Sequence, residues 1–194
     1  GTNLQRPPCG ADLCRVKGVL FNVAEDVVDE TISEDAWDQA LGVACLDGVY
    51  TSLGDYPDED LAGIVAALSA RTGLPTDEVL RHVGVHGYRH LVERQPDLVA
   101  GITDLGTLLH HLEDVIHPEV VKLHPNSSPP SFTVTDLAPS SWQVDYRSAR
   151  HLCHLADGLI IGAANGFGTP CATELVRCVD LGADHCTLVV TLEP

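Results

Sequence analysis

Apolar residues recur at three- and four-residue spacing through the first 124 positions and at two-residue spacing beyond them, so the chain divides into a helical part and a part that contains strands. Val19, Leu20, Val23, Val27 and Val28 predict a first helix, and Thr31-Ile32-Ser33-Glu34-Asp35 breaks it and caps the next. Trp37, Leu41, Val43 and Ala44 carry a second helix to Asp47-Gly48. Asp55-Tyr56-Pro57 opens a third, through Leu61, Ile64, Val65 and Leu68, that stops at Thr72-Gly73. Pro75-Thr76 starts a fourth with Val79, Leu80 and Val83, which Gly84 and Gly87 are expected to interrupt. The longest pattern spans residues 103–124, where Leu105, Leu108, Leu109, Leu112, Val115, Ile116, Val120 and Leu123 share one helical face.

The pattern then changes. Asn126-Ser-Ser-Pro-Pro130 is a turn, and Phe132-Thr-Val-Thr-Asp-Leu137 and Trp142-Gln-Val-Asp-Tyr146 alternate with period two. Ser148 is expected to cap a helix running to about Phe167, and strands follow near 171–178 and 186–192. The expectation is an α+β fold: a helical N-terminal lobe (16–75) followed by a C-terminal lobe (76–194) of antiparallel β-sheet plus helices, in one domain. Residues 1–15 carry a Pro-Pro pair and no periodicity, and read as a flexible leader outside it.

Composition narrows the function. The 194 residues hold 28 Asp+Glu against 11 Lys+Arg, a formal charge of −17, which argues against a nucleic-acid partner because a phosphate backbone needs a basic surface. No apolar run reaches the roughly 18 to 20 residues of a membrane span. Seven cysteines with no secretory apolar segment before them point to a reducing cytoplasm, where Cys and His together more often mean metal or redox chemistry than cross-links.

Three groups of residues could carry chemistry. His117 borders the apolar stripe of the longest helix, on the azimuth of His110 and His124, and Pro118 should bend the helix there because it has no N–H for the Asp114 carbonyl. A boundary histidine bonded to water and a metal or haem-iron ligand both fit that position. Tyr146, Ser148 and Arg150 have period-two spacing and could present a phenol, a hydroxyl and a guanidinium together, as a carboxylate receptor; a helix cap with a surface arginine fits equally. Cys153, Cys178 and Cys186 gather thiols that, in so acidic a chain, a cation such as Zn²⁺ would hold together; buried free thiols are the alternative.

Tyr-x-Ser-x-Arg at 146–150, preceded by a helical His, a Pro-Pro turn and a Lys17-Gly18-aliphatic opening, resembles the H-NOX family of haem nitric oxide/oxygen binding domains over about Val16 to Leu192. Val16 stands where the family has its initiating Met, which supports placing residues 1–15 outside the domain. The resemblance implies haem b with His117 as the proximal ligand, and Tyr146, Ser148 and Arg150 on the propionates. Leu20 and Pro130 match positions that press on the macrocycle. Leu155 and Ala24 fall on the distal side, where oxygen-holding members place a tyrosine hydroxyl. The implied function is an NO sensor, also open to CO, that excludes O2 and is not an enzyme. By resemblance to stand-alone bacterial members, its partner would be a histidine kinase or a cyclic-di-GMP enzyme (diguanylate cyclase or phosphodiesterase). Some relatives hold a structural zinc with three Cys and one His. Here Leu175 replaces the usual fourth ligand, so Cys171, on the same strand face by even spacing, is the expected substitute, with His185 or His154 as the fallback. Two other classes stand beside this reading: a zinc-stabilised small-ligand module related to vinyl-reductase-type domains, and a Cys/His hydrolase, for which no nucleophile lies beside a base.

Overall fold

The computed structural model describes residues 15–123 and 128–193. Its order is β1 (Arg15–Lys17), α1 (Gly18–Thr31), α2 (Ala36–Ala44), β2 (Asp55–Pro57), α3 (Asp58–Thr72), α4 (Thr76–Arg94), α5 (Leu105–His111), a π-helical turn (Leu112–Ile116), α6 (His117–Leu123), β3 (Ser131–Ala138), β4 (Ser141–Arg147), α7 (Cys153–Gly166), β5 (Cys171–Arg177) and β6 (Cys186–Leu192). This is the expected mixture of helices and antiparallel sheet. The four strands run in the order β3-β4-β6-β5, all antiparallel, and Phe132, Tyr146 and Cys186 stand in one cross-strand row. The leader at 1–15 lies outside the described residues except for Arg15, which is already in β1.

Period and punctuation account for most helices. In α3 the acidic trio Asp58, Glu59 and Asp60 occupies the first turn, where negative charge complements the helix dipole, and Gly73 ends it at φ +76°. α1 is tied to α4 by Asp26 and Glu30, which flank the His90 ring at 3.5 and 3.2 Å. The short ribbon β1–β2 replaces the expected opening of the third helix: Asp55–Pro57 pairs with Arg15–Lys17, and three residues are too few to show a period.

Gly84 and Gly87 do not interrupt α4. They let it run 19 residues against its neighbours. A Cβ on Gly84 would lie 2.5 Å from the Leu155 carbonyl oxygen, one on Gly158 2.1 Å from the Arg81 oxygen, and one on Gly162 2.5 Å from the Val85 oxygen. α4 and α7 therefore meet backbone to backbone, which only glycine permits. α4 also joins two cores: Val79 and Val83 belong to the N-terminal one, and Tyr88 packs on the C-terminal one, so position 75 is not a clean divide.

The helix expected over 103–124 is broken. Asp104 caps α5 by accepting the Thr107 N–H at 2.8 Å, and the chain then widens into the π turn, where the His117 N–H reaches the Leu112 carbonyl. The missing N–H of Pro118 is absorbed by this turn. A π turn adds one residue, which sets back the azimuth of everything after it by about 100°. His117 thereby leaves the azimuth of His110: His110 is exposed and bonded to Asp136, while His117 packs on Phe132 with ring centroids 5.4 Å apart. His124 lies outside the described residues.

Ser148 does not cap α7. Its Oγ accepts the Arg150 N–H at 3.2 Å, closing a local turn, and His151 at φ +53° delays the helix to Cys153.

Candidate haem site and cysteine cluster

Between the two cores lies a cavity of about 310 Å³, lined largely by apolar side chains, and within the roughly 300–1,000 Å³ of small-molecule sites. α1 contributes Val19 and Leu20, the π turn and α6 contribute Ile116 and His117, Pro130 and Phe132 close one wall, and α7 gives Leu155 and Leu159, with Leu152 just before it. Tyr146 and Arg150 add a phenol and a guanidinium to its lining. Leu20, Pro130, Leu155, His117, Tyr146 and Arg150 are thus brought together. Ala24 is not: it is buried in the N-terminal core one turn beyond Leu20, and does not line the cavity. Ser148 supports the site through its bond to the Arg150 backbone and does not itself line it.

Burial pushes the His117 imidazole below its ordinary pKa, against the opposing influence of Glu113 and the Pro130 carbonyl. The ring is therefore neutral near pH 7 and keeps a lone pair. Its Nδ1 is buried and has no hydrogen-bond partner of good geometry among the described residues. Tyr146 is 3% exposed, and burial pushes its phenol up to about 12, opposed by the hydrogen bond with Ser148 and the charge of Arg150. The phenol is a permanent donor. Arg150 donates to the Arg15 carbonyl at 2.7 Å and to the Ser128 carbonyl. A neutral, half-buried imidazole in a largely apolar cavity that also carries a phenol and a guanidinium suits an apolar group that bears carboxylates and takes a nitrogen ligand. The donor set fits haem.

Sequence reasoning missed the β1–β2 residues Arg15, Lys17 and Asp55 at the cavity, and Tyr88 on its α4 wall. Only long-range strand pairing and the α4–α7 seam bring them there, and neither has a local signal.

Cys153, Cys178 and Cys186 meet where α7 starts beside the ends of β5 and β6. The Cys178 sulfur lies 3.9 Å from both Cys153 and Cys186. A tetrahedral zinc with Zn–S of roughly 2.3 Å would place sulfurs about 3.8 Å apart. A His154 ring nitrogen lies within 4.8 Å of the Cys153 and Cys178 sulfurs. Cys171 is not the fourth member: it opens β5, while Cys178 follows the far end of the strand, about 23 Å away at 3.3 Å per residue. Even spacing shares a face but not an end. His185 is turned towards Asp184 and Asp145 at 2.9 and 3.6 Å. Burial pushes the Cys153 and Cys186 thiols up; neighbouring sulfurs add to the rise at Cys153, whereas at Cys186 the Val179 N–H and the Cys153 thiol oppose it, and without a cation both stay protonated. Cys153, His154 and Cys178 bring their ligand atoms within 4.8 Å of one another and could hold a metal ion, and the Cys186 sulfur lies beside Cys178.

A family profile described as haem-NO-binding matches residues 17–175. Among solved structures, the chain is similar to an H-NOX protein from Shewanella oneidensis in the Fe(II)NO state, at 33% identity and TM-score 0.85, over 92% of this chain and 100% of that one. An NMR structure of the Shewanella oneidensis H-NOX domain in the Fe(II)CO state is 33% identical with TM-score 0.82, over 92% and 99%. An oxygen-binding H-NOX domain related to soluble guanylate cyclases shares the fold, at 23% identity and TM-score 0.77, over 92% and 96%. No curated protein matches the sequence. H-NOX domains are haem-based gas sensors and not enzymes, and by profile, identity and coverage this chain belongs to that haem-NO-binding family.

Proposed function

We propose that the chain is an NO sensor that does not hold O2 and reports to a separate signalling protein. His117, Tyr146 and Arg150 would hold haem, with Ser148 positioning Arg150, and the haem would supply the ferrous iron that binds a diatomic gas. The observation that carries the reading is His117, a half-buried, neutral imidazole that lines the cavity and whose Nδ1 is buried. Dioxygen held in such a cavity draws partial negative charge and needs a hydrogen-bond donor, whereas NO and CO do not. α7 offers Leu155, Leu159 and Ile160, none of which can donate. Leu20 and Pro130 are the side chains that would press on a flat ligand. Because His117 joins the π turn to α6, its position sets the path of 112–123, and we assign the signal to displacement of that segment.

Zinc in the Cys3His cluster would be structural, anchoring α7 to β5 and β6. The partner is proposed as a histidine kinase or a cyclic-di-GMP enzyme, and the compartment as the cytoplasm, where buried free thiols persist. No helix among the described residues is long and apolar enough to cross a membrane. Reconstitution with haem tests the sensor reading. The expected result is a five-coordinate ferrous spectrum that changes with NO and not with air. No Soret band, or an unchanged spectrum in His117→Gly, overturns it.

A further inference from the structure

Three of the chain's 11 basic residues, Arg15, Lys17 and Arg150, line the cavity, against one of its 28 acidic residues, Asp55, among the described residues. In a protein of charge −17 this is a local reversal of sign. Arg150 follows β4, but Arg15 and Lys17 come from β1, at the other end of the chain. Strand geometry puts the two on one side, with Val16 buried between them at 1% exposure. Lys17 is held by its cross-strand neighbour Asp55, Nζ to Oδ2 at 2.8 Å, and Arg15 donates to the Asp55 carbonyl. The Arg150 guanidinium meets the same strand, bonded to the Arg15 carbonyl at 2.7 Å. Basic groups from two distant parts of the chain thus meet at one cavity.

We propose that Arg15 and Lys17 are a second cationic arm of the cavity, taking one carboxylate of a dianionic ligand while Arg150 takes the other. This rests on the haem reading, in which the carboxylates are the two propionates. Asp55 holds Lys17 across the ribbon, and a propionate would offer Lys17 a second anion without breaking the β1–β2 pairing. Arg15 precedes the span that the family profile covers. Exposed and partly exposed ion pairs are weak, so the two together should slow ligand release about three- to tenfold, equivalent to about 0.7–1.4 kcal/mol.

The test compares haem transfer to an excess of apomyoglobin from the wild-type protein and from the Arg15→Ala/Lys17→Ala double variant, with natural haem and with haem dimethyl ester. Natural haem should leave the variant about three- to tenfold faster, by less at high salt, and the uncharged ester should leave both at one rate. An Arg15→Lys/Lys17→Arg protein should release natural haem as the wild type does. Equal release of natural haem from wild type and double variant overturns this inference alone, as does equally accelerated release of the ester, which would mean loosened packing. Failure of the wild-type chain to take up haem overturns this inference and the sensor reading together.

Discussion

The Arg150 guanidinium and the Arg15 carbonyl, 135 residues apart in sequence, meet at 2.7 Å, so the side chain that completes the Tyr-x-Ser-x-Arg group also ties the first strand to the turn after β4. Its other branch reaches the Ser128 carbonyl beside the Pro-Pro turn. Arg150→Ala should therefore destabilise the haem-free protein by about 1 kcal/mol, the worth of a charge-assisted bond at a partly exposed site. Arg150→Lys should recover little of it, because a single ammonium cannot reproduce a fork across two carbonyls. Chemical denaturation of haem-free protein reads both; unchanged midpoints would dissolve the tie.

The glycine seam makes the second prediction. Gly158→Ala would push a methyl against the Arg81 carbonyl, and Gly84→Ala one against the Leu155 carbonyl. Each should cost about 1–3 kcal/mol through displaced backbone, read as a lowered thermal midpoint. At Gly166 the methyl would lie 3.5 Å from its nearest neighbour, an atom of the Tyr88 ring, so Gly166→Ala is expected to stay within about 0.5 kcal/mol of wild type.

pH enters through His117. Its folded pKa lies below the unfolded value, so between the two the unfolded chain binds more protons and folding weakens as pH falls. The haem-free protein should lose stability from about pH 7 downward, below the ordinary histidine pKa of roughly 6.5. His117→Gln should flatten part of that slope. His82 is lowered by burial as well and acts in the same direction, so the informative quantity is the difference between wild type and variant over roughly pH 5–7. Identical slopes would show that the imidazole is not held neutral by burial.

Metal content separates the cysteines. Cys153→Ser, Cys178→Ser, Cys186→Ser and His154→Ala should each lower bound zinc below about 0.2 equivalents per chain in a chelator-challenged, reduced sample, given the tight binding of structural zinc. Cys171→Ser should retain it, since Cys171 sits at the far end of β5. Zinc lost on replacing Cys171 and kept on replacing His154 would reverse the assignment.

Gas selectivity can be rewritten at one position. Leu155 lines the cavity from α7, so Leu155→Tyr should place a hydroxyl there and allow an oxygen complex to form, seen as a new absorption spectrum in air. Tyr88 also lines the cavity, from α4, and already carries a hydroxyl. If the wild-type chain holds O2 and Tyr88→Phe abolishes it, Tyr88 is the donor and the oxygen-excluding reading fails.

Much of this was legible in residue order. Period two in Phe132–Leu137 and Trp142–Tyr146 predicts β3 and β4 to within one residue at each end, because alternation survives burial of one face. The site residues His117, Tyr146, Arg150, Leu20, Pro130 and Leu155 converge on one cavity. What stayed hidden needed long-range geometry. Pro118 announces a disturbance, but not that a π turn resolves it and swings His117 inward. Gly84 and Gly87 look like breaks because their purpose lies in α1 and α7. Ala24 is four residues from Leu20, a spacing that is nearly but not wholly one helical face, and the cavity ends between them. The Cys171 expectation failed for a related reason: a face is periodic, whereas a metal site needs a point.

The backbone contact between α4 and α7 also limits how the two cores can move. Interlocked side chains must change rotamer before one helix can pass another, but at Gly84, Gly158 and Gly162 there is nothing to disengage. Separation across this seam would strip two backbones of their closest packing. At these positions the closeness of α4 to α7 is set by three missing methyl groups, and both cores, to each of which the two helices contribute, are built around that one spacing.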